Sequence, residues 1–364
     1  MATMLGDMPA TRSLRSAAWR VVELITTPLV PSDYLDEVAP LRNANVLRAR
    51  IEEVHREHER AVTLVLRPGR GWRRHEPGQY LRIGVDVDGI RLWRNYSLTS
   101  DPDRADGRVS ITVTAIEGGV VSNHLVRNAR VGALVHLDPP AGEFTVPDPA
   151  PEKVLFVTAG SGVTPIMGIL RGAGDRLRDV VVVHSARTAA DALFTPELDD
   201  LAAEGRIRLI ERTTSVEGRL SPAGIAALVP DWAERETWAC GPNELLDELE
   251  KHWADAGVGE RLRTERFRPV MIGADGAGGD VTFTKTQTTV TAPGDVPLLD
   301  AAEAAGVLMP SGCRMGICFG CVLPLREGAV RDLRDGALIV AEAGDTIPIQ
   351  TCVSAAAGPC RIDH

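Results

Sequence analysis

The chain has 364 residues and a formal net charge of −10 at pH 7. This length suffices for two or three domains, each with its own core, and the acidic balance argues against nucleic acid as a partner. No apolar run reaches transmembrane length, because glycines and a proline interrupt the most apolar stretch at residues 154–170. We therefore expect a cytoplasmic protein.

Residues 1–45 are predicted to form a helical extension. Apolar residues recur at helical spacing over residues 11–25, with arginines on the other faces. A basic amphipathic helix of this kind can lie on an anionic membrane, which would give weak peripheral contact at the inner face of the membrane. It can equally pack on the domain that follows, so both interpretations stay open.

Residues 46–150 contain short runs with a hydrophobic period of two. Clear examples lie at residues 61–66, 80–85 and 109–114, and turns separate them. Several such strands at regular spacing predict a closed antiparallel β-barrel.

Three motifs stand inside the predicted barrel: RNYSLTS at 94–100, EGGVVSN at 117–123 and PAGEF at 140–144. Singly, each has a plain explanation: Arg94 as a solvated strand charge, Tyr96 as a core aromatic and the glycine pair as a turn. Together, in order and spacing, they resemble the flavin-binding barrel of the ferredoxin–NADP reductase superfamily.

This resemblance implies an FAD site in the barrel. A guanidinium such as that of Arg94 can pair with a pyrophosphate, and a hydroxyl at Ser97 can hydrogen-bond near flavin N5. Backbone N–H groups at the start of a short helix can bind phosphate. The implied FAD-binding residues are Arg94, Tyr96, Ser97, Leu98, Val113, Ala115, Gly118, Gly119, Ser122 and, much later in the chain, Phe267.

Residues 151–268 change to continuous apolar runs, at 154–159 and 180–184, that alternate with helical segments. Such runs indicate parallel strands buried on both faces, and hence a doubly wound α/β domain. The turn between the first strand and its helix, GSGVTP at 160–165, departs from the G-x-G-x-x-G fingerprint. It still predicts a phosphate-binding turn, in which Thr164 caps the helix and Pro165 takes its first position.

Cys240-Gly241-Pro242 follows the last apolar strand, at the edge where such sheets bind ligands. A lone cysteine is more often packing, but the resemblance implies a turn that positions the nicotinamide. Glu265 and Phe267 are similar to the family's acidic-x-aromatic ending, which implies proton handling and shielding of the flavin; both can also be ordinary strand residues. The implied NAD(P)H-binding residues are Gly160, Gly162, Thr164, Ser185, Arg187, Cys240, Gly241 and Pro242.

The choice of nucleotide is predicted from the end of the second parallel strand. Ser185 and Arg187 stand there, and no acidic residue appears before Asp191. An arginine can accommodate a 2′-phosphate, whereas an acid would favour the free hydroxyl, so we expect NADPH rather than NADH. The alternative is that Arg187 is a solvated loop cation.

A glycine-rich linker is predicted at residues 269–280, followed by a third domain at 281–364 with a C-x4-C-x2-C motif. Plant-type [2Fe–2S] clusters have this spacing, closed by a distant fourth cysteine. The three loop glycines, Gly312, Gly316 and Gly320, are predicted to take positive φ. A structural zinc site is the alternative, and thiolate ligation implies a reducing compartment. The predicted ligands are Cys313, Cys318, Cys321 and Cys352.

The order hairpin, helix and cluster loop resembles a plant-type ferredoxin, which implies a β-grasp α+β fold. The three blocks together resemble reductases that serve oxygenases, hydroxylases and acyl-CoA desaturases. The resemblance implies that Ser97, Cys240 and Glu265 act in hydride transfer from NAD(P)H to FAD, with single electrons then passing to the cluster.

The terminal acceptor is predicted from the segments at 28–34 and 67–72, which look most like the desaturase-associated branch. The expected acceptor is a membrane-bound di-iron acyl-CoA desaturase of the stearoyl-CoA type. A soluble oxygenase or a cytochrome P450 is the alternative. A non-redox zinc-binding module and a flavin enzyme with its own small substrate are the competing classes.

Overall fold

The computed structural model describes residues 39–42, 46–267 and 276–364. The predicted helix at residues 11–25 and most of the predicted linker lie outside these ranges. Three sheets follow one another along the described chain, each with its own hydrophobic core. Within the described residues, no helix is both long and apolar enough to cross a bilayer.

The first sheet is antiparallel, in the order β4-β3-β6-β1-β2-β5. Its outer strands meet through a bridge between Leu98 and Ile111, which closes the sheet into the predicted barrel. Alternate side chains point inward, so Leu81, Ile83 and Val85 on β3 are buried. The elements are β1 (Arg48–His58), β2 (Ala61–Pro68), β3 (Tyr80–Val87), β4 (Ile90–Ser97), β5 (Val109–Thr114), α1 (Val120–Asn128) and β6 (Leu134–Leu137).

The second sheet is parallel, in the order β11-β10-β7-β8-β9, with helices on both faces. The strand order reverses between β7 and β10, so a crevice opens there at the carboxyl ends of the strands. The doubly wound prediction is therefore confirmed. The elements are β7 (Lys153–Ala159), α2 (Val163–Ala173), β8 (Asp179–Ala186), α3 (Thr195–Ala203), β9 (Arg208–Thr213), α4 (Thr214–Glu217), α5 (Pro222–Leu228), β10 (Glu236–Cys240), α6 (Asn243–Asp255) and β11 (Leu262–Glu265).

The third sheet is mixed: β12 and β17 are parallel, and the other pairs are antiparallel. Helix α7 packs its leucines, Leu298 and Leu299, on one face of this sheet. Sheet and helix together form the predicted β-grasp unit. The elements are β12 (Gly279–Phe283), β13 (Thr288–Ala292), α7 (Leu298–Ala304), β14 (Val322–Asp332), β15 (Leu338–Ala341), β16 (Ile347–Gln350) and β17 (Ser354–Ile362).

Helix α2 packs on the barrel through two glycines. A Cβ at Gly168 would lie 2.2 Å from the carbonyl oxygen of Leu98, and a Cβ at Gly172 would lie 2.6 Å from Pro102. Any larger residue would force the two domains apart. Between the glycines, Arg171 donates a 2.6 Å hydrogen bond to the carbonyl of Thr99. The barrel and the parallel sheet are thus joined by direct backbone contact.

Candidate functional site

One cleft of about 1250 Å³ receives residues from all three sheets. The barrel contributes Tyr80 and Ser97, the parallel sheet contributes Gly162 and Glu265, and the cysteine loop contributes Cys313. The arrangement brings the three predicted sites to a common space.

The RNYS motif lies at the end of β4, in the wall of this cleft. Arg94 donates a 2.7 Å hydrogen bond to the carbonyl of Trp93, and burial lowers the pKa of its guanidinium to about 10. Burial also raises the pKa of the Tyr96 phenol. The Ser97 Oγ is buried and has no partner within the described residues, so a hydroxyl stands ready for a ligand atom in the cleft.

Three of the predicted flavin residues point away from the cleft. Leu98, Val113 and Ala115 place their side chains in the barrel core, because the alternation of strand residues turns them inward. Only their backbone groups are available to a ligand. Their assignment to the FAD site therefore stays a prediction, and it rests on the main chain.

The glycine pair before α1, Gly118 and Gly119, forms a tight turn at the start of the helix. Gly118 has φ +68°, and a Cβ at Gly119 would lie 2.5 Å from Oγ of Ser122. Ser122 accepts a 3.3 Å hydrogen bond from the N–H of Ile116. The N–H of Gly119 already donates a 3.1 Å hydrogen bond to the carbonyl of Ile116, so phosphate contacts at this helix start stay a prediction.

The phosphate turn after β7 begins its helix earlier than predicted. Residues 160–162 form a short 3-10 turn, and Gly162 is the N-cap of α2. Thr164 therefore lies within the first turn of the helix, where its hydroxyl donates a 2.9 Å hydrogen bond to the carbonyl of Ser161. The prediction that Thr164 caps the helix and that Pro165 begins it was wrong.

Gly162 brings the two sides of the crevice together. A Cβ there would lie only 2.1 Å from the carbonyl oxygen of Cys240, so only glycine fits. The Cys240 thiol itself is fully buried in the core under the crevice, and burial raises its pKa well above the ordinary value. Gly241 and Pro242 line the cleft. Cys240 thus supports the turn as a neutral thiol, and its predicted role beside the nicotinamide rests on its backbone.

Glu265 lies beside Cys240 on the neighbouring strand β11. Burial raises the pKa of its carboxyl group to about 8, and its Oε2 atom has no hydrogen-bond partner in the part of the chain that is described. The group is largely protonated at neutral pH and can donate a proton into the cleft. Phe267 lines the same wall with 39% of its surface exposed.

The predicted 2′-phosphate residues lie at the end of β8. Ser185 is buried and donates a 3.3 Å hydrogen bond to the carbonyl of Thr158. Arg187 is 70% exposed and lies 3.4 Å from Asp191. Arg219 lines the same part of the cleft. It was missed because nothing in its local sequence sets it apart from other surface arginines.

The four predicted ligand cysteines lie in two pairs. The Sγ atoms of Cys321 and Cys352 are 3.1 Å apart, and Cys313 donates its backbone N–H to the sulfur of Cys318 at 3.1 Å. The N–H of Gly320 also reaches Cys318, at 3.4 Å. Two pairs match a two-iron cluster with two ligands per iron, and N–H groups directed at sulfur stabilise such clusters.

The pairing of the cysteines bears on the zinc alternative. A structural zinc ion is held by four ligands around one position, whereas two pairs of cysteines suit two irons. We therefore favour the cluster over zinc.

The loop glycines serve two different purposes. Of the three, only Gly316 has positive φ, at +74°, whereas Arg314 and Phe319 take the left-handed conformation that was predicted for glycines. Gly312 is required for space, because a Cβ there would lie 2.3 Å from the Cys318 sulfur. The prediction of positive φ was wrong for Gly312 and Gly320.

Two barrel residues near the cluster loop were not predicted. Tyr80 lines the cleft, and the pKa of its phenol is raised first by burial and then by Cys313 and Glu265. Arg82 lies two positions further along β3. Strand alternation could have placed both on the outer face of β3, but the sequence does not show that the cysteine loop covers that face.

Comparisons with known proteins agree with this geometry. The oxidoreductase FAD-binding domain model matches residues 72–146, and the 2Fe-2S iron-sulfur cluster binding domain model matches residues 281–357. An NADPH oxidoreductase of Mycobacterium tuberculosis is 48% identical over 361 residues, which are 98% of this chain and 93% of that protein.

A more distant relative and a solved structure show the same organisation. The ferredoxin reductase component of a 3-ketosteroid-9-alpha-monooxygenase of Mycolicibacterium smegmatis is 31% identical over 79% of this chain and 88% of that protein. The structure of phthalate dioxygenase reductase matches with a TM-score of 0.57 at 23% identity, and the match covers 88% of this chain and 98% of that one. At this identity the structural match shows a shared fold.

Proposed function

The chain belongs to the ferredoxin reductase superfamily of FAD oxidoreductases with a C-terminal [2Fe–2S] domain, and we propose that it carries electrons from NADPH to an iron-dependent oxygenase. The observation that carries this proposal is the shared cleft. Ser97, Glu265 and Cys313 line one cavity although they come from three different domains.

The bound groups supply the redox chemistry: FAD takes two electrons as hydride and releases them singly, and the cluster accepts one at a time. The protein positions these groups. We assign Arg94 to the FAD phosphates and Ser97 to the flavin edge where hydride arrives. Glu265 is a buried neutral acid that can exchange a proton beside this edge. Cys313 is the cluster ligand that lines the cleft.

We propose NADPH as the electron donor. Arg187 and Arg219 line the cleft beyond β8 and can pair with a 2′-phosphate. The carboxylate of Asp191 lies 3.4 Å from Arg187 and also accepts a 2.7 Å hydrogen bond from Thr188. The Oδ2 atom of this acid is therefore already engaged. The name of the mycobacterial relative agrees with this choice.

The proposed acceptor is an oxygenase. The relative from Mycolicibacterium smegmatis is named as the reductase of a monooxygenase, which favours the alternative of the sequence prediction over its main choice. The expected desaturase has no support among these relatives. The N-terminal helix that partly motivated it lies outside the described residues, so membrane contact and cytoplasmic location stay predictions.

The test starts from the anaerobically purified holoprotein, with flavin, iron and acid-labile sulfide quantified. NADPH-driven substrate oxidation is then measured with three acceptors in parallel: an oxygenase, a cytochrome P450 and desaturase-containing membranes. We expect one flavin and two irons per chain and turnover with the oxygenase. Turnover with the membranes alone, or with the P450 alone, would overturn the acceptor assignment and leave the electron path intact.

A further inference from the structure

Arg82 lies on the outer face of β3. Its neighbours in sequence, Leu81 and Ile83, are fully buried in the barrel core, and strand alternation therefore directs Arg82 away from that core. Its side chain is only 23% exposed. A mostly covered arginine outside the barrel core needs a partner surface.

Two barrel groups hold the guanidinium of Arg82. Its Nε atom lies 2.5 Å from Oδ2 of Asp138, and its Cζ atom lies 4.7 Å from the centre of the Trp93 ring. A carboxylate and an aromatic face together fix the plane of the guanidinium. The arginine is therefore preorganised by the barrel.

The remaining side of the guanidinium faces the cysteine loop. A Cβ at Gly312 would lie 3.3 Å from Nη1 of Arg82 and 2.3 Å from the sulfur of Cys318. A Cβ at Gly320 would lie 3.4 Å from the same sulfur and 3.6 Å from the same Nη1 atom. The guanidinium of Arg82 and the sulfur of Cys318 thus lie against the same two glycines, so a fixed cation of the barrel lies beside a ligand of the cluster.

We propose that Arg82 is a positioning residue that raises the reduction potential of the cluster while the third domain lies against the barrel. This inference rests on the proposed electron path. Hydrogen bonds to ligand sulfurs and local charge set the potential of such clusters. A positive charge at Cys318 stabilises the reduced cluster, which is more negative by one electron.

The electron balance is simple. One electron leaves the reduced flavin and enters the cluster, no bond forms or breaks at Arg82, and the guanidinium stays charged throughout. Arg82 is fixed to the barrel and Cys318 belongs to the third domain. Separation of the two surfaces would therefore move this positive charge away from the cluster and lower its reduction potential. The docked cluster would be the better electron acceptor, and the separated cluster the better donor.

The experiment is an EPR-monitored redox titration of the full-length holoprotein and its R82Q variant. We expect the equilibrium constant for electron transfer from flavin to cluster to fall about tenfold, which is about 59 mV in the midpoint of a one-electron couple. The R82K variant should show a smaller shift in the same direction, because lysine keeps the positive charge but lacks the planar guanidinium.

The matched control is R91Q. Arg91 lies at the other end of the β3–β4 hairpin, 43% exposed, and pairs with Asp86; its removal should leave the cluster midpoint unchanged. Equal midpoints in R82Q, R91Q and the unsubstituted protein would overturn the inference. If R82Q loses its cluster on purification, an unshifted R82K midpoint overturns it and a lowered one supports it. Absence of any iron–sulfur EPR signal in the unsubstituted protein would instead overturn the proposed function.

Discussion

The barrel makes two very different contacts with its neighbours. Toward the parallel sheet it offers a backbone carbonyl at Leu98 against a glycine of α2, with no space for a single added carbon. Toward the cysteine loop it offers the guanidinium of Arg82, which lies against Gly312 and Gly320. The first contact is close-packed, and the second is made by a charged side chain.

The difference between these two contacts matches the different requirements of hydride transfer and of single-electron transfer. Hydride transfer needs its two reacting carbon and nitrogen atoms held in near contact, so the domains that carry them must keep one geometry. A single electron can pass over a longer distance, and a charged contact can form and break with little reorganisation of packing. We therefore predict that the barrel and the parallel sheet move as one unit, and that the third domain can separate from this unit.

Replacing Cys318 by serine should have the largest effect on the charged side. Loss of a thiolate ligand removes the cluster, so electron transfer to any protein acceptor should be abolished. NADPH-dependent ferricyanide reduction should continue, because the close-packed unit is untouched. Cys360 is a buried cysteine in the core of the same domain, and C360S is the control. Parallel loss of both activities with flavin retained would contradict the separation of the two contacts.

Replacing Gly168 by valine should break the close-packed side. Its side chain would collide with the Leu98 carbonyl, so we expect a loss of about 1–3 kcal/mol in the free energy of unfolding, as overpacked sites typically show. Hydride transfer, measured by stopped-flow flavin bleaching, should slow more than the later reduction of the cluster. Gly259 has open surroundings, with its nearest neighbour at 3.6 Å, and G259A should change neither quantity. A G168V protein with unchanged stability and unchanged hydride transfer would show that the contact between α2 and the barrel is not rigid.

The pH dependence of the protein's stability tests whether Glu265, in the cleft between the two contacts, is a buried neutral acid. Burial raises the pKa of Glu265 from 4.5 to about 8 in the folded protein, so the folded state binds the extra proton between these values. Stability should therefore fall as pH rises from 5 to 8. In urea unfolding, the free energies of unfolding of E265Q and of the unsubstituted protein should differ by a constant amount below pH 4.5. By pH 8.5 the variant should gain on the order of 4 kcal/mol relative to that difference, because one pKa unit corresponds to about 1.4 kcal/mol; a parallel pH dependence in both proteins would exclude a buried neutral Glu265.

The smallest expected effect lies far from both contacts. Arg187→Ala should lower the ratio of kcat/KM for NADPH over NADH by about fivefold, since a partly solvated charge pair contributes on the order of 1 kcal/mol. Both transfer rates at saturating NADPH should stay unchanged. R176A, another exposed arginine of the same domain, is the control. An unchanged ratio in R187A would remove this residue from the 2′-phosphate site.

Much of the fold could be predicted because each domain has its own hydrophobic pattern. Alternating runs such as residues 61–66 predicted barrel strands, and continuous runs such as 180–184 predicted buried parallel strands. The cysteine spacing singled out the four cysteines that the structure places in two pairs, and their role as ligands stays a prediction. The glycines of the 160–165 turn were also identified, although the helix begins before Thr164.

The rest depended on contacts between distant segments. Tyr80 and Arg82 are ordinary strand residues until the cysteine loop covers them, and no local pattern reports that contact. Gly312 needs its small size because of the Cys318 sulfur and Arg82, so its requirement is tertiary and not a turn conformation. The inward direction of Leu98 likewise follows from barrel closure through Ile111.

The glycine face of α2 has a consequence for building chimeras from relatives of this protein. A crossover placed between the barrel and the parallel sheet would pair Gly168 and Gly172 with a foreign surface, which would have to leave room for the close approach to the Leu98 carbonyl and to Pro102. A crossover placed after β11 and before β12 keeps the barrel and α2 from one parent. The third domain should therefore be exchangeable as a cassette, provided that the donor brings a loop able to accept Arg82.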